Sequence, residues 1–101
     1  MKESQIRKLA IDKLKADGWV CWYSYKSKWA KESDIFGVYD LVICKGSRVR
    51  WIQLTTIGNI GARKRKIEGF LRATGARLPS YVWGWDKKKK IFKTIKLNHN
   101  K

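Results

Sequence analysis

Apolar and polar positions follow two different periods along the chain, and the changes between them predict seven elements. Helical spacing predicts a first helix over residues 3–17, whose apolar stripe is Ile6, Leu9, Ala10 and Leu14. The same spacing predicts a second helix over residues 59–74, with a face formed by Ile67, Phe70, Leu71 and Thr74. Gly18 and Gly75 follow the two helices as stop signals, and Asn59 precedes the second as an N-cap.

Segments rich in aromatic and β-branched residues predict five strands, over residues 19–25, 38–44, 48–55, 80–85 and 91–97. A short turn at residues 45–47 makes the second and third strands a hairpin, whereas the polar residues 26–37 predict a loop. The order is therefore helix, three strands, helix, two strands. It predicts a single α/β domain over residues 1–101, in which helices cover a sheet.

Composition adds a strong positive charge to this picture. The chain has 24 Lys and Arg against 8 Asp and Glu, which gives a formal net charge of +16 and a pI near 10.2. Such an excess predicts a polyanionic partner, and nucleic acid fits better than a membrane surface because no long amphipathic basic helix is present. Cys21 and Cys44 have no metal or redox spacing, and no apolar run resembles a membrane span or signal peptide, so a cytoplasmic protein is expected.

Two polar residues interrupt the predicted hairpin. Asp40 lies in the apolar segment VYDLVIC, where a carboxylate is costly unless it is paired, hydrogen-bonded or bound to a metal; the alternative is a strand-end Asp that faces solvent. Gln53 lies in WIQLTT. If Ile52 and Leu54 face the core, Gln53 and Thr55 share the opposite face near Asp40, although an ordinary solvated strand face fits the pattern equally well.

Basic residues are concentrated in two segments. The segment GNIGARKRKIEG places Arg63, Lys64, Arg65 and Lys66 at the start of the second helix, where backbone N–H groups and the helix dipole also favour phosphate. The alternative for this run is a solvated helix face. The loop adds Lys26 and Lys28 around Trp29, for which the hypothesis is stacking on a base or insertion at a junction. The alternative is that Trp29 folds back onto the core, as loop tryptophans also do. Most of the other tryptophans lie on predicted strands and are expected in the core or at a dimer interface.

The order of these features resembles the PD-(D/E)XK nuclease superfamily, and most closely the archaeal-type Holliday junction resolvases and small phage or plasmid nucleases related to them. The resemblance covers the chain from Glu3 to about Leu97, on the segments ESQIRKLAIDKLKADGW, DIFGVYDLVI and RWIQLTTIGNIGARKRKIEGFL. It implies a restriction-endonuclease-like α-β-β-β-α-β core, with a further strand, whose mixed central sheet is flanked by helices. It also implies a homodimer that cuts branched or structured DNA with Mg²⁺ or Mn²⁺ and no small-molecule cofactor.

The resemblance also implies roles for individual residues. Asp40 matches the central metal-binding Asp, and Glu3 matches the acid of the first helix. Gln53 and Thr55 stand where the motif has an acid and a Lys, and Leu54 between them would offer its backbone carbonyl to the metal. In the loop, Asp34 is an additional candidate acid. Ser27 and Ser33 lie in the region that contacts the phosphate backbone in the resolvases.

Two departures from the motif bear on activity. Gln53 keeps an oxygen ligand but lacks the negative charge that strengthens Mg²⁺ binding. Thr55 lacks the cation that orients the attacking water, so a nearby cation would have to replace it; the candidates are Lys26, Arg63, Lys64 and Lys66. The main expectation is thus a metal-dependent DNA endonuclease. The alternatives are a catalytically weak or inactive nucleic-acid-binding protein on the same fold and a basic RNA-binding protein.

Overall fold

A computed structural model describes residues 3–23, 35–36 and 38–97 and places them in two helices, one short 3₁₀ helix and a five-stranded sheet. The elements are α1 (Glu3–Ala16), β1 (Val20–Trp22), β2 (Leu41–Lys45), β3 (Arg48–Thr56), the 3₁₀ helix (Ile57–Asn59), α2 (Ile60–Thr74), β4 (Ser80–Asp86) and β5 (Ile91–Lys96). The predicted type and order of the seven helices and strands are confirmed. No helix in the described residues is long and apolar enough to cross a membrane.

The sheet is mixed, with the strand order β1-β2-β3-β4-β5. All neighbouring strands are antiparallel except β3 and β4, which are parallel and are joined by α2. The predicted hairpin of β2 and β3 is confirmed, and Gly46 at its turn has a φ of +62°, a conformation that glycine adopts without strain. At the turn between β4 and β5, Asp86 Oδ1 accepts the N–H groups of Lys88 and Lys89.

Each face of the sheet packs against one helix. On one face, the buried stripe of α1 contacts Ile43, Ile52 and Leu54. On the other face, α2 contributes Ile60, Ile67 and Leu71 to a cluster with Val82 and other residues. Because successive side chains of a strand point to opposite faces, Gln53 and Thr55 of β3 point to the α2 side. The structure is therefore a three-layer α/β fold, as the coarse class predicted from the sequence.

Some details of the sequence prediction differ from the structure. Leu9 is 38% exposed and Thr74 is exposed, so neither belongs to the buried stripe of its helix. Asn59 occupies the N-cap position of α2 as predicted, but its side chain makes no capping hydrogen bond and donates instead to Thr56 Oγ1 at 3.0 Å. The other four strand tryptophans are buried in the two core clusters or packed against them, as expected of most of them. Trp22 is 55% exposed, because α2 covers the sheet around β3 and β4 and not the β1 edge.

Gly84 allows α2 to approach β4 closely. A Cβ at this position would overlap Cδ1 and Cγ1 of Ile60 and would lie 3.1 Å from Ile57 Cα. Gly84→Ala should therefore lower the free energy of unfolding by about 1–3 kcal/mol, the usual cost of overpacking. Gly69→Ala is the matched control: no atom lies within 4 Å of its Cβ position in α2, and alanine should raise stability by up to about 1 kcal/mol. Urea unfolding of both variants measures the difference, and equal effects would contradict the close approach.

Candidate functional site

Asp40 lies directly before β2 and completes the pairing of β3. The strand β2 begins at Leu41 opposite Ile52, so it supplies no backbone acceptor for the N–H of Leu54. The Asp40 carboxylate takes that place: its Oδ2 accepts the Leu54 N–H at 2.7 Å. The carboxylate is thus a hydrogen-bonded, half-buried group and not a strand-end Asp turned to solvent.

Gln53 joins the same cluster through its side-chain amide. The residue is only 3% exposed, and its Nε2 donates to Asp40 Oδ2 at 2.9 Å and to the Leu54 carbonyl at 3.2 Å. Both partners are acceptors, so they fix which end of the amide faces them. The other end, Oε1, is then a buried acceptor that has no hydrogen-bond partner among the described residues. A buried oxygen without a donor costs free energy that a bound cation or donor would recover.

Thr55 lies two residues further along β3, on the same face as Gln53. Its exposure is 8%, because α2 packs closely over its β4 neighbour Gly84. The predicted alternation, with Ile52 and Leu54 on one face and Gln53 and Thr55 on the other, is confirmed. The alternative of a solvated strand face was wrong, since both polar residues are buried.

A buried hydrogen-bond chain holds the backbone that precedes Asp40. Ser80 Oγ donates to the Leu78 carbonyl at 2.8 Å, so the 2.6 Å contact between Tyr39 and Ser80 has the Tyr39 hydroxyl as its donor. Burial raises the pKa of the Tyr39 phenol from its ordinary value. Ile35 and Tyr39 also form an antiparallel bridge. Tyr39 and Ser80 were not predicted from the sequence, where their only signal was the position of Tyr39 beside Asp40.

The predicted cations of the second helix lie at the same end of the sheet as Gln53 and Thr55. The helix α2 follows β3 after one short turn, so its N-terminus is next to the C-terminal end of β3. Lys64, Arg65 and Lys66 are exposed and Arg63 is half-buried, and the first turn holds no acidic residue. This part of the surface therefore combines the positive end of a helix dipole with four cations.

For several predicted site residues, the structure does not describe a side-chain position relative to this cluster. The loop residues lie outside the described part of the chain; they are Lys26, Ser27, Lys28, Trp29, Ser33 and Asp34. Glu3 begins α1, but the described structure does not include its side chain. Within residues 3–23, 35–36 and 38–97, no group of three His, Cys, Asp or Glu side chains comes together. The structure brings together Asp40, Gln53 and the Leu54 carbonyl.

Comparison with known proteins adds no family to this geometry. No protein-family model matches the chain, and no curated protein matches it either.

The bond between Tyr39 and Ser80 gives a stability prediction. Tyr39→Phe should lower the free energy of unfolding by about 1 kcal/mol at neutral pH, whereas Tyr81→Phe, at a half-buried position, should change it less. A raised pKa means that the folded state keeps the phenol protonated while the unfolded chain ionises near pH 10.0. The protonated phenol of Tyr39 therefore makes its full contribution to the free energy of unfolding below pH 10.0, and this contribution is lost as the pH rises above that value. Urea unfolding should show that the difference in free energy of unfolding between wild type and Tyr39→Phe becomes smaller above that pH. A difference that does not change with pH would contradict the raised pKa of Tyr39.

Proposed function

We propose that this chain is a metal-dependent DNA endonuclease with a restriction-endonuclease-like core, acting on branched or structured DNA. The architecture supports the proposal, because the element order and the mixed sheet between two helices are those that the resemblance implied. The observation that carries it is the buried Oε1 of Gln53, which lacks a donor among the described residues and belongs to a side chain bound to Asp40.

The donor set of the cluster fits a hard divalent cation. The Asp40 carboxylate, Gln53 Oε1 and the Leu54 carbonyl are all oxygens, the ligands that Mg²⁺ and Mn²⁺ prefer. Because Gln53 Nε2 faces the other two oxygens, its amide would have to turn over for these three residues to hold one ion. Bound there, the ion supplies Lewis acidity that activates water and stabilises negative charge on the phosphate. Glu3 is proposed as a further ligand on the resemblance alone, and so is Asp34.

The protein's own residues contribute orientation and charge. Leu54 N–H and Gln53 Nε2 together fix Asp40 Oδ2, so the carboxylate is held in place before any ligand binds. Thr55 cannot supply the cation of the motif Lys. We assign that role to the cations at the start of α2, of which Arg63 is the half-buried one. The same cations would hold the DNA backbone without reading its sequence. A homodimer, which would cut two strands symmetrically, is part of the proposal.

A second candidate is a DNA-binding protein on the same fold that has lost catalysis. One observation that favours it is the hydrogen bond that the Gln53 amide donates to the Asp40 carboxylate, at the place where a metal would bind. Another is Thr55, which stands where the motif has a Lys. Metal dependence separates these candidates from a basic RNA-binding protein, for which neither Mg²⁺ nor Mn²⁺ would matter.

Cleavage assays test the nuclease directly. Wild type is incubated with a four-way junction, a linear duplex and single-stranded DNA, in Mg²⁺, Mn²⁺ or EDTA. We expect metal-dependent cutting that Asp40→Asn reduces at least about 100-fold, since a metal ligand loses its charge. Asp12→Asn makes the same charge change at an exposed α1 position and should cut like wild type. Undiminished cutting by Asp40→Asn, or tight binding without cutting by wild type in either metal, would refute the nuclease.

Metal binding at Gln53 has a separate thermal test. Gln53→Glu should lower the Tm without metal, because Glu cannot donate to Asp40 and places a second carboxylate beside it. Added Mg²⁺ should then raise the Tm of Gln53→Glu more than that of wild type, since the extra charge strengthens binding. Gln5→Glu makes the same change at an exposed position of α1 and should respond like wild type. If Mg²⁺ moves the Tm of all three proteins equally, no ion binds at Gln53.

A further inference from the structure

Part of the α2-side face of the sheet is apolar, and no described helix covers it. Two rows of side chains cross β1, β2 and β3 in register, one formed by Val20, Cys44 and Val49 and the other by Trp22, Val42 and Trp51. Directly paired residues of antiparallel strands share a face, and Trp51 packs against the α2-side cluster, so both rows lie on that side. Val20 is 66% exposed and Trp22 55% exposed. Exposed aromatic and aliphatic groups in such a row are typical of a binding surface.

Aromatic rings extend this face to α2. Phe36 is 59% exposed, and its ring lies 5.5 Å from that of Trp51 and stacks on Phe70 of α2 at 5.7 Å. Phe36 has a φ of +56°, a strained conformation for a bulky residue, and it lies four residues before Asp40. The rings of Trp22, Phe36 and Trp51, called here the aromatic platform, thus reach from the β1 edge toward the Asp40 cluster.

The helix beside the platform is basic on the side that faces it. Arg63 and Lys66 precede Phe70 by seven and four residues, so the three lie on one side of α2, and the Phe70 ring contacts Phe36. A second copy docked symmetrically on this face would bring its own Arg63 and Lys66 against the same cations, so the like charges disfavour this face as the contact of a homodimer. A DNA single strand satisfies both features, since its bases offer π-faces to the rings and its phosphates offer negative charge to Arg63 and Lys66.

We infer that the aromatic platform stacks unpaired bases of DNA, so that the substrate of the Asp40 cluster carries a single-stranded stretch. The inference rests on the DNA binding of the proposed function but not on cleavage. Bases in a duplex are stacked on each other, so their faces are not available to stack on the rings of the platform. The platform therefore distinguishes single-stranded from duplex DNA, whereas the cations of α2 contact the phosphates of both.

Binding in EDTA tests the platform without cleavage. Fluorescence anisotropy compares a labelled single strand of about 16 nucleotides with the duplex of the same length. Trp22→Ala and Phe36→Ala should each raise the Kd for the single strand by about 5- to 150-fold and leave the duplex Kd unchanged. Ile91→Ala removes a similarly exposed apolar side chain from β5 and should bind both like wild type.

Two further measurements separate stacking from other causes. The salt dependence of single-strand binding should keep its slope in Trp22→Ala, which removes no phosphate contact, and should become shallower in Lys66→Ala. A 2-aminopurine base in the single strand should lose fluorescence on stacking with wild type and regain it with Trp22→Ala. Circular dichroism checks that each variant is folded.

Other results would overturn the inference. Equal losses for single strand and duplex would mean that the rings do not select unpaired bases. A wild-type dimer that dissociates in Trp22→Ala, with single-strand affinity unchanged, would assign the face to a second copy. Failure of wild type to bind either DNA would overturn the proposed function as well. Ring-dependent single-strand binding without metal-dependent cutting would refute only the nuclease and would support the platform.

Discussion

The structure depends on one hydrogen bond, from the backbone N–H of Leu54 to the carboxylate of Asp40. Both faces of β3 are buried around Leu54, and β2 begins too late to supply a carbonyl for this N–H. The carboxylate therefore takes the place of the missing backbone acceptor. The same oxygen orients the Gln53 amide and so determines where its unsatisfied oxygen lies. Strand pairing and the candidate metal site are thus two results of a single contact.

The second constraint is that β3 serves both layers. Ile52 and Leu54 fill the core beneath α1, whereas Gln53 and Thr55 are buried on the side of α2. A strand selected for stability alone would have apolar residues on both faces, as central strands usually do. The polar pair departs from this rule beside Asp40, at the end of β3 that leads into α2. Departures of this kind, with buried polar groups not fully satisfied, are characteristic of functional sites.

Periodicity predicted the elements because apolar residues recur in each of them at the local spacing of a helix or a strand. It placed the start of β2 three residues too early, since VYDLVIC reads as one continuous strand. Before Leu41, Tyr39 pairs with Ile35, and its hydroxyl bonds to Ser80, a partner 41 residues away that no local pattern reveals. The proximity of Asp40 and Gln53 could be predicted from the hairpin. The burial of Gln53 could not be predicted, because it requires α2 to cross that face of the sheet. The contributions of Glu3, Asp34 and the basic loop stay predictions.

The single parallel pair of the sheet has a consequence for biosynthesis. The hairpins β2–β3 and β4–β5 join neighbours in sequence, but β3 and β4 meet only after α2 has crossed between them. A nascent chain emerges from its N-terminus, so β3 leaves the ribosome with an open edge that waits for some twenty more residues of chain, roughly one to a few seconds of synthesis. That edge carries Trp51, Ile52 and Leu54, and an unpaired edge of this kind recruits other strands. Translation speed and chaperone access over residues 57–80 are therefore expected to govern the yield of folded protein.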